Sequence, residues 1–176
     1  MRSFGQMLVG AVALMGCQGT LQGDTNGDTA GDTAGDTSVD TAWTPTCSSG
    51  EHWTFGNAGS ANMRPGHDCV TCHATSEGPN FGMAGTVMGA VHDEDDCDGV
   101  SGVIVHITDV HGTTTNFTTN RAGNFYNRGS FDMPITASVE YQGRIVEMAS
   151  EVNSADCASC HTVAGDSGAP GRIVAP

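Results

Sequence analysis

Between residues 82 and 150 the chain alternates short apolar runs with small polar ones. The apolar runs are rich in valine, isoleucine, threonine and aromatic residues. Glycine, asparagine and aspartate separate them, which is typical of strands joined by turns. In the run GVIVHITD, Val103, Val105 and Ile107 occupy every second position. This period of two predicts a strand with one face turned towards a core.

Two further patterns complete the prediction of secondary structure. The tetrapeptide YQGR at 141–144 predicts a tight hairpin turn, with Gly143 at the position that needs a positive φ angle. No stretch shows clear helical periodicity except the short segments around the cysteine motifs described below. We therefore predict a mainly β fold, a small antiparallel β-sandwich flanked by two irregular or short-helical segments.

Three segments of this region form a series that is typical of a known family. They are AGTV, GVIVHITDVHGTTTNFTTNRAGNFY and ITASVEY. The series resembles the carboxypeptidase-regulatory-like or transthyretin-like family of β-sandwiches. That resemblance implies a module of about seven strands that is usually not catalytic. The acidic loop AVHDEDDCDG and the segment FDMPI depart from the family pattern.

Two copies of the frame Asp-Cys-x-x-Cys-His flank the predicted sandwich, DCVTCH at 68–73 and DCASCH at 156–161. Cys-x-x-Cys-His is the attachment signature of c-type haem. Its two thiols form thioethers with the haem vinyl groups, and its histidine becomes the proximal ligand of the iron. The frames therefore predict two covalent haems. The attachment residues are Cys69, Cys72, Cys157 and Cys160, and the proximal ligands are His73 and His161.

Two other chemistries could use paired cysteines. One zinc ion could bind all four sulfurs, but the two pairs would have to converge, and the histidine after each pair would have no role. A thiol redox couple is normally a single motif in an αβ context, and it too leaves the histidines unexplained. The repeated histidine favours haem over both alternatives.

The second axial ligand of each iron has to come from elsewhere in the chain. Met63 lies six residues before Cys69, Met148 lies nine before Cys157, and His92 precedes the acidic loop. A methionine opposite the histidine would raise the reduction potential, although methionines more often fill a core. We rank Met63 first, Met148 second and His92 third. The other histidines considered are His52, His67, His106 and His111.

The amino terminus predicts export. One arginine precedes a short apolar run that is too short to span a membrane, and the run ends in LMGC. This ending resembles the lipobox of bacterial lipoproteins, which implies a signal peptide at 1–16 and lipidation of Cys17. An ordinary secretory signal with an incidental cysteine is the alternative. Gln18 favours sorting to an outer membrane.

Residues 17–42 contain a repeat of glycine, aspartate and threonine with almost nothing apolar. Such a segment predicts a disordered, self-repelling linker behind the lipid anchor. The whole chain carries 20 acidic against 6 basic residues, a net charge of −14. This charge argues against a nucleic-acid partner, because phosphate backbones would be repelled. Basic redox proteins remain suitable partners.

Cys47 and Cys97 are left once the frames and the lipid anchor have taken the other cysteines. In an oxidising compartment they are expected to form one disulfide, with two separate buried thiols as the alternative.

The acidic loop at 92–99 places Glu94, Asp96 and Asp98 at alternate positions, as in a calcium-binding loop. Val105 stands where the bidentate glutamate should be, so a solvated loop is expected, with a calcium site as the alternative.

These segments divide the chain into a first haem-binding segment at 43–81, the sandwich at 82–150 and a second haem-binding segment at 151–176. This layout resembles small dihaem c-type cytochrome lipoproteins of myxobacteria, with a sandwich inserted between the haem segments. The resemblance implies an outer-membrane lipoprotein, facing the periplasm or the cell surface, that transfers single electrons and is not an enzyme. The alternatives are a haem-containing sensor or binding module, and a small haem enzyme with an open distal site.

Overall fold

The computed structural model describes residues 60–75 and 78–176. The predicted signal peptide, the lipidation site Cys17, the linker and Cys47 lie outside the described residues. No helix in the described part is long and apolar enough to cross a membrane. The elements, in chain order, are α1 (Cys69–Thr75), β1 (Met83–Met88), β2 (Ile104–Thr108), β3 (Thr114–Thr118), β4 (Asn124–Asn127), β5 (Thr136–Tyr141), β6 (Arg144–Glu147), α2 (Cys157–Cys160) and β7 (Ile173–Val174).

The strands form two sheets. One has three strands in the order β4-β1-β7, and the other has four in the order β3-β2-β5-β6. Every pairing is antiparallel except that of β1 with β7, which is parallel. The predicted mainly β fold is therefore confirmed, with antiparallel pairing predominant.

One apolar core lies between the two sheets. Met83 and Val87 of β1 and Phe125 of β4 contribute from the smaller sheet, and β2 and β5 contribute from the larger one. Burial of an apolar side chain of this size contributes about 1.5–3 kcal/mol, so these contacts dominate the stability of the fold. Val105 and Ile107 are no more than 2% exposed, as the period of two along β2 predicts.

The hairpin between β5 and β6 confirms the predicted turn. Tyr141 pairs with Arg144, and the two residues between them, Gln142 and Gly143, have φ angles of 51° and 79°. Positive φ at both central positions is the geometry of a type I′ turn, whose twist matches that of the flanking strands.

Strand β7 is the one element that the sequence pattern does not predict. It lies inside the predicted second haem-binding segment, and its two residues pair with Val87 and Met88 of β1. Earlier in the same segment, Asp156 forms an isolated parallel bridge with Ala84, also on β1. The segment that carries the second cysteine frame is thus fixed to β1 at both of its ends.

Candidate functional site

Both cysteine frames lie against strand β1. Helices α1 and α2, which contain the cysteines, each contact that strand. Gly85 lies at the centre of this contact, because a Cβ atom there would come within 3.0 Å of the Cys157 Cβ and 2.7 Å of the Phe125 ring. A glycine is therefore needed for α2 to approach the sheet so closely. The fold brings the two frames, 88 positions apart in the sequence, to one sheet.

Each frame begins as a short helical turn. In the first, the side-chain oxygen of Asp68 accepts a hydrogen bond of 2.9 Å from the N–H of Thr71, the capping contact that aspartate makes at a helix start. In the second, the N–H of His161 donates to the carbonyl of Cys157 at 2.9 Å. This bond closes the turn and places the histidine directly after the two cysteines.

The second frame has the donor set that a c-type haem requires. Cys157 and Cys160 are free thiols. Nδ1 of His161 lies 2.8 Å from the carbonyl oxygen of Gly171. A carbonyl oxygen only accepts, so Nδ1 carries the proton and Nε2 has the free lone pair. This tautomer, fixed by a backbone carbonyl, is the one found in metal-binding histidines.

The first frame differs. Cys69 is a free thiol whose sulfur donates to the carbonyl of His67 at 3.3 Å, whereas Cys72 is disulfide-bonded. The Cys72 sulfur cannot form a thioether while that disulfide stands. Nδ1 of His73 is buried, and the His73 ring lies 4.4 Å from that of Phe81. The second frame therefore fits a covalent haem, and the first fits one only with the Cys72 thiol reduced.

Cys97, like Cys72, is disulfide-bonded. Its predicted partner, Cys47, lies outside the described residues, so the proposed pairing stays a prediction.

Two cysteines of the frames are protonated at neutral pH. Burial, with a smaller effect of Asp68, raises the pKa of the Cys69 thiol to about 11. Burial, followed by Asp156, raises that of Cys157 to about 12. A thiol redox couple needs a thiolate as its nucleophile. These raised values give the thiol redox alternative no support.

The leading aspartates of the two frames face each other. The pKa of Asp156 is raised to about 6, first by burial and then by the nearby carboxylate of Asp68. A hydrogen bond between the two carboxyl groups also raises the pKa of Asp156. Two carboxylates at such close range favour protonation of one of them. The first residues of the two frames are therefore neighbours in the fold.

The raised pKa of Asp156 predicts a pH-dependent stability. The native state binds a proton more readily than the unfolded chain, whose aspartate has its ordinary pKa of 3.8. Stability is therefore expected to fall as the pH rises from about 4 to about 6. The loss is on the order of 1 kcal/mol once solvent screening of this half-buried group is allowed for. Asp156→Asn is expected to remove this loss and to be more stable than the unaltered protein at pH 7.

Urea unfolding at pH 4.5 and at pH 7 measures the difference. Glu151→Gln is the matched control, because Glu151 is exposed. An equal pH dependence in the unaltered protein and in Asp156→Asn would show that the carboxylate pair has no such role.

Arg172 joins the parts of the site. It is 5% exposed. Its guanidinium donates to the carbonyls of Gly66 and Asp93 at 3.0 and 3.1 Å and forms an ion pair of 3.0 Å with Asp96. One buried cation thus holds together the entry to the first frame, the acidic loop and the segment of the second frame. Arg172 is not among the site residues that the sequence predicts, although a cation is rare in so acidic a chain, and this rarity is a signal that could have pointed to it.

The acidic loop is arranged for these internal contacts. Asp96 forms an ion pair with Arg172, and the side chain of Asp93 accepts a hydrogen bond of 2.9 Å from the N–H of Asp95. Among residues 60–75 and 78–176 no group of three or more histidine, cysteine, aspartate or glutamate residues could hold a metal ion. Neither calcium at 92–99 nor a zinc ion shared by the four cysteines gains support from this arrangement.

The candidate distal ligands lie in different places. The N–H of Met148 donates to the carbonyl of Ala137 at 2.8 Å, beside β5 of the four-stranded sheet. The carbonyl of Met63 accepts the Asn124 side chain at 2.9 Å, beside β4. His92 lies at the second frame, with Nδ1 2.8 Å from the carbonyl of Val163.

Two of the other histidines pair with side chains elsewhere: His106 lies on strand β2, and His111 lies in the turn that follows it. His106 lies 2.8 Å from Asn116 and 3.1 Å from Glu140, and His111 pairs with Asp132 at 3.5 Å. His67 is half-buried, and burial is the main cause that lowers its pKa. His52 lies outside the described residues. The ring of His92 is thus hydrogen-bonded to the segment that carries the second frame.

Comparison of the chain with protein-family models, with curated proteins and with solved structures finds no match.

Proposed function

We propose that the protein is an exported, lipid-anchored dihaem c-type cytochrome that transfers single electrons between redox partners. The observation that carries the proposal is the second frame. There the free thiols of Cys157 and Cys160 stand beside a histidine whose Nδ1 is fixed by the Gly171 carbonyl. This combination provides two sulfurs for thioether bonds and one Nε2 lone pair for an iron.

When bound, haem supplies the one-electron chemistry of its iron, and the chain provides attachment, axial ligands and surroundings. Cys157 and Cys160 would hold one haem, with His161 as its proximal ligand. Cys69, the reduced form of Cys72 and His73 would do the same for the other. Because both frames contact β1, the two haems would be attached to one sheet, which suits electron exchange within a chain.

The remaining parts of the proposal come from the sequence. The predicted signal peptide and Cys17 place the protein outside the cytoplasm, where c-type haem is attached, and anchor it at an outer membrane on its periplasmic or cell-surface side. The net charge of −14 suits a basic redox protein as partner, because opposite charges speed association. The likeness of residues 82–150 to transthyretin-like sandwiches assigns the sandwich a scaffolding role between the haems.

Carbon monoxide separates electron transfer from the alternatives. We expect the reduced, haem-loaded protein to keep an unchanged absorption spectrum under carbon monoxide, because two axial ligands from the protein leave no open position on either iron. A haem that binds carbon monoxide in the unaltered protein would favour a sensor or a small haem enzyme instead. Equine cytochrome c and myoglobin serve as the closed and open reference proteins.

A further inference from the structure

We propose that His92 is the second axial ligand of the iron that His161 binds, which makes the second haem a bis-histidine centre. The inference rests on the proposed function and names a ligand that the sequence pattern ranks below two methionines.

The His92 ring is tethered to the second frame in the way that His161 is. Its Nδ1 lies 2.8 Å from the carbonyl of Val163, two residues after His161. Since the carbonyl only accepts, the proton is on Nδ1 and the Nε2 lone pair is free to bind a metal. The backbone carbonyls of one loop, residues 161–171, therefore hold both imidazoles in the metal-binding tautomer.

Gly171 links the two histidines. Its carbonyl oxygen accepts from His161, and a Cβ atom at this position would lie 3.1 Å from Nδ1 of His92. The φ angle of Gly171 is +149°, in the region that favours glycine. The N–H of Arg172 donates to the carbonyl of Val91 at 2.8 Å, which fixes the backbone beside His92. The approach of His92 to the second frame is thus built into the backbone.

Among the described residues, the carbonyl of Val163 is the hydrogen-bond partner of the His92 ring. The side chain is exposed, whereas Met148 is tied by its backbone to β5 in the other sheet. A histidine in place of methionine opposite His161 lowers the reduction potential, because methionine ligation raises it. The second haem is therefore expected to be the lower-potential centre if the first has a methionine ligand.

The test uses the full chain matured with haem and the variants His92→Ala and His92→Met. His111→Ala is the matched control, because His111 is exposed in the turn after β2 and its pair with Asp132, at 3.5 Å, is exposed as well. We expect His92→Ala to keep the haem content of the unaltered chain while one of its haems becomes high-spin and binds carbon monoxide. His92→Met should restore a low-spin haem with a higher potential. His111→Ala should change none of these.

The haem content separates the two proposals. An unaltered chain without covalent haem contradicts the proposed function itself. A normal haem content with both haems low-spin in His92→Ala overturns the assignment of His92 alone. Near-infrared magnetic circular dichroism of the unaltered protein, which distinguishes histidine from methionine ligation, does not depend on the folding of any variant. A bis-histidine signal is expected there, and its absence overturns the assignment.

Discussion

Replacement of Cys157 and Cys160 by alanine is expected to remove one covalently bound haem per chain and to leave the other in place. The two sulfurs are the only attachment points of the proposed second haem, and thioethers cannot form without them. The haem content is measured by pyridine haemochrome analysis after expression with a cytochrome c maturation system. The paired change of Cys69 and Cys72 should lower the haem content by the same amount.

The matched control lies within the same frame. Ser159→Ala changes an exposed residue between the two cysteines and keeps both thiols, although it removes a hydrogen bond of 2.7 Å to the carbonyl of Asp156 and a contact of 3.8 Å with the Cys160 sulfur. It should keep the full haem content. Circular dichroism of each variant establishes that the fold is retained. An unchanged haem content without Cys157 and Cys160 would contradict the assignment of the second frame.

The second large effect concerns stability. Arg172→Met is expected to lower the free energy of unfolding by about 3–5 kcal/mol, the usual cost of breaking a buried ion pair from one side. Asp96 loses its ion pair with Arg172, and the carbonyls of Gly66 and Asp93 lose the hydrogen bonds that the guanidinium donates. Equilibrium unfolding in urea measures the change.

Arg144→Met is the control for this variant. Arg144 is exposed on β6, so the same change in chemistry is expected to alter the free energy of unfolding by no more than about 0.5 kcal/mol. Equal losses from the two variants would mean that Arg172 does not hold the segments together.

The elements that the sequence predicts are those with a local cause. The alternation along β2 follows from one buried face, and the turn at Gly143 follows from a backbone conformation that glycine adopts readily. Strand β7 has only two residues, too few to show a period. Its parallel pairing with β1 depends on where the chain end is placed in three dimensions, and a local pattern holds no information on that.

The site also contains residues that a local motif predicts and contacts that only the tertiary structure determines. The frame supplies its own sequence signature, so its cysteines and histidines can be named from the sequence. The role of Arg172 and the carbonyl bonds of His92 and His161 depend on contacts between distant segments. Spacing along the chain favours Met148 over His92, but in the structure the His92 ring is hydrogen-bonded to Val163, two residues after the second frame, whereas Met148 bonds Ala137 of β5.

The covalent haem content of the unaltered chain tests the central proposal most directly. The protein is expressed with a cytochrome c maturation system, under conditions that keep the Cys72 thiol reduced before haem is attached. Pyridine haemochrome analysis and intact-protein mass spectrometry should then give two haems per chain, one for each Cys-x-x-Cys-His frame. A chain that matures without covalent haem would contradict the proposal.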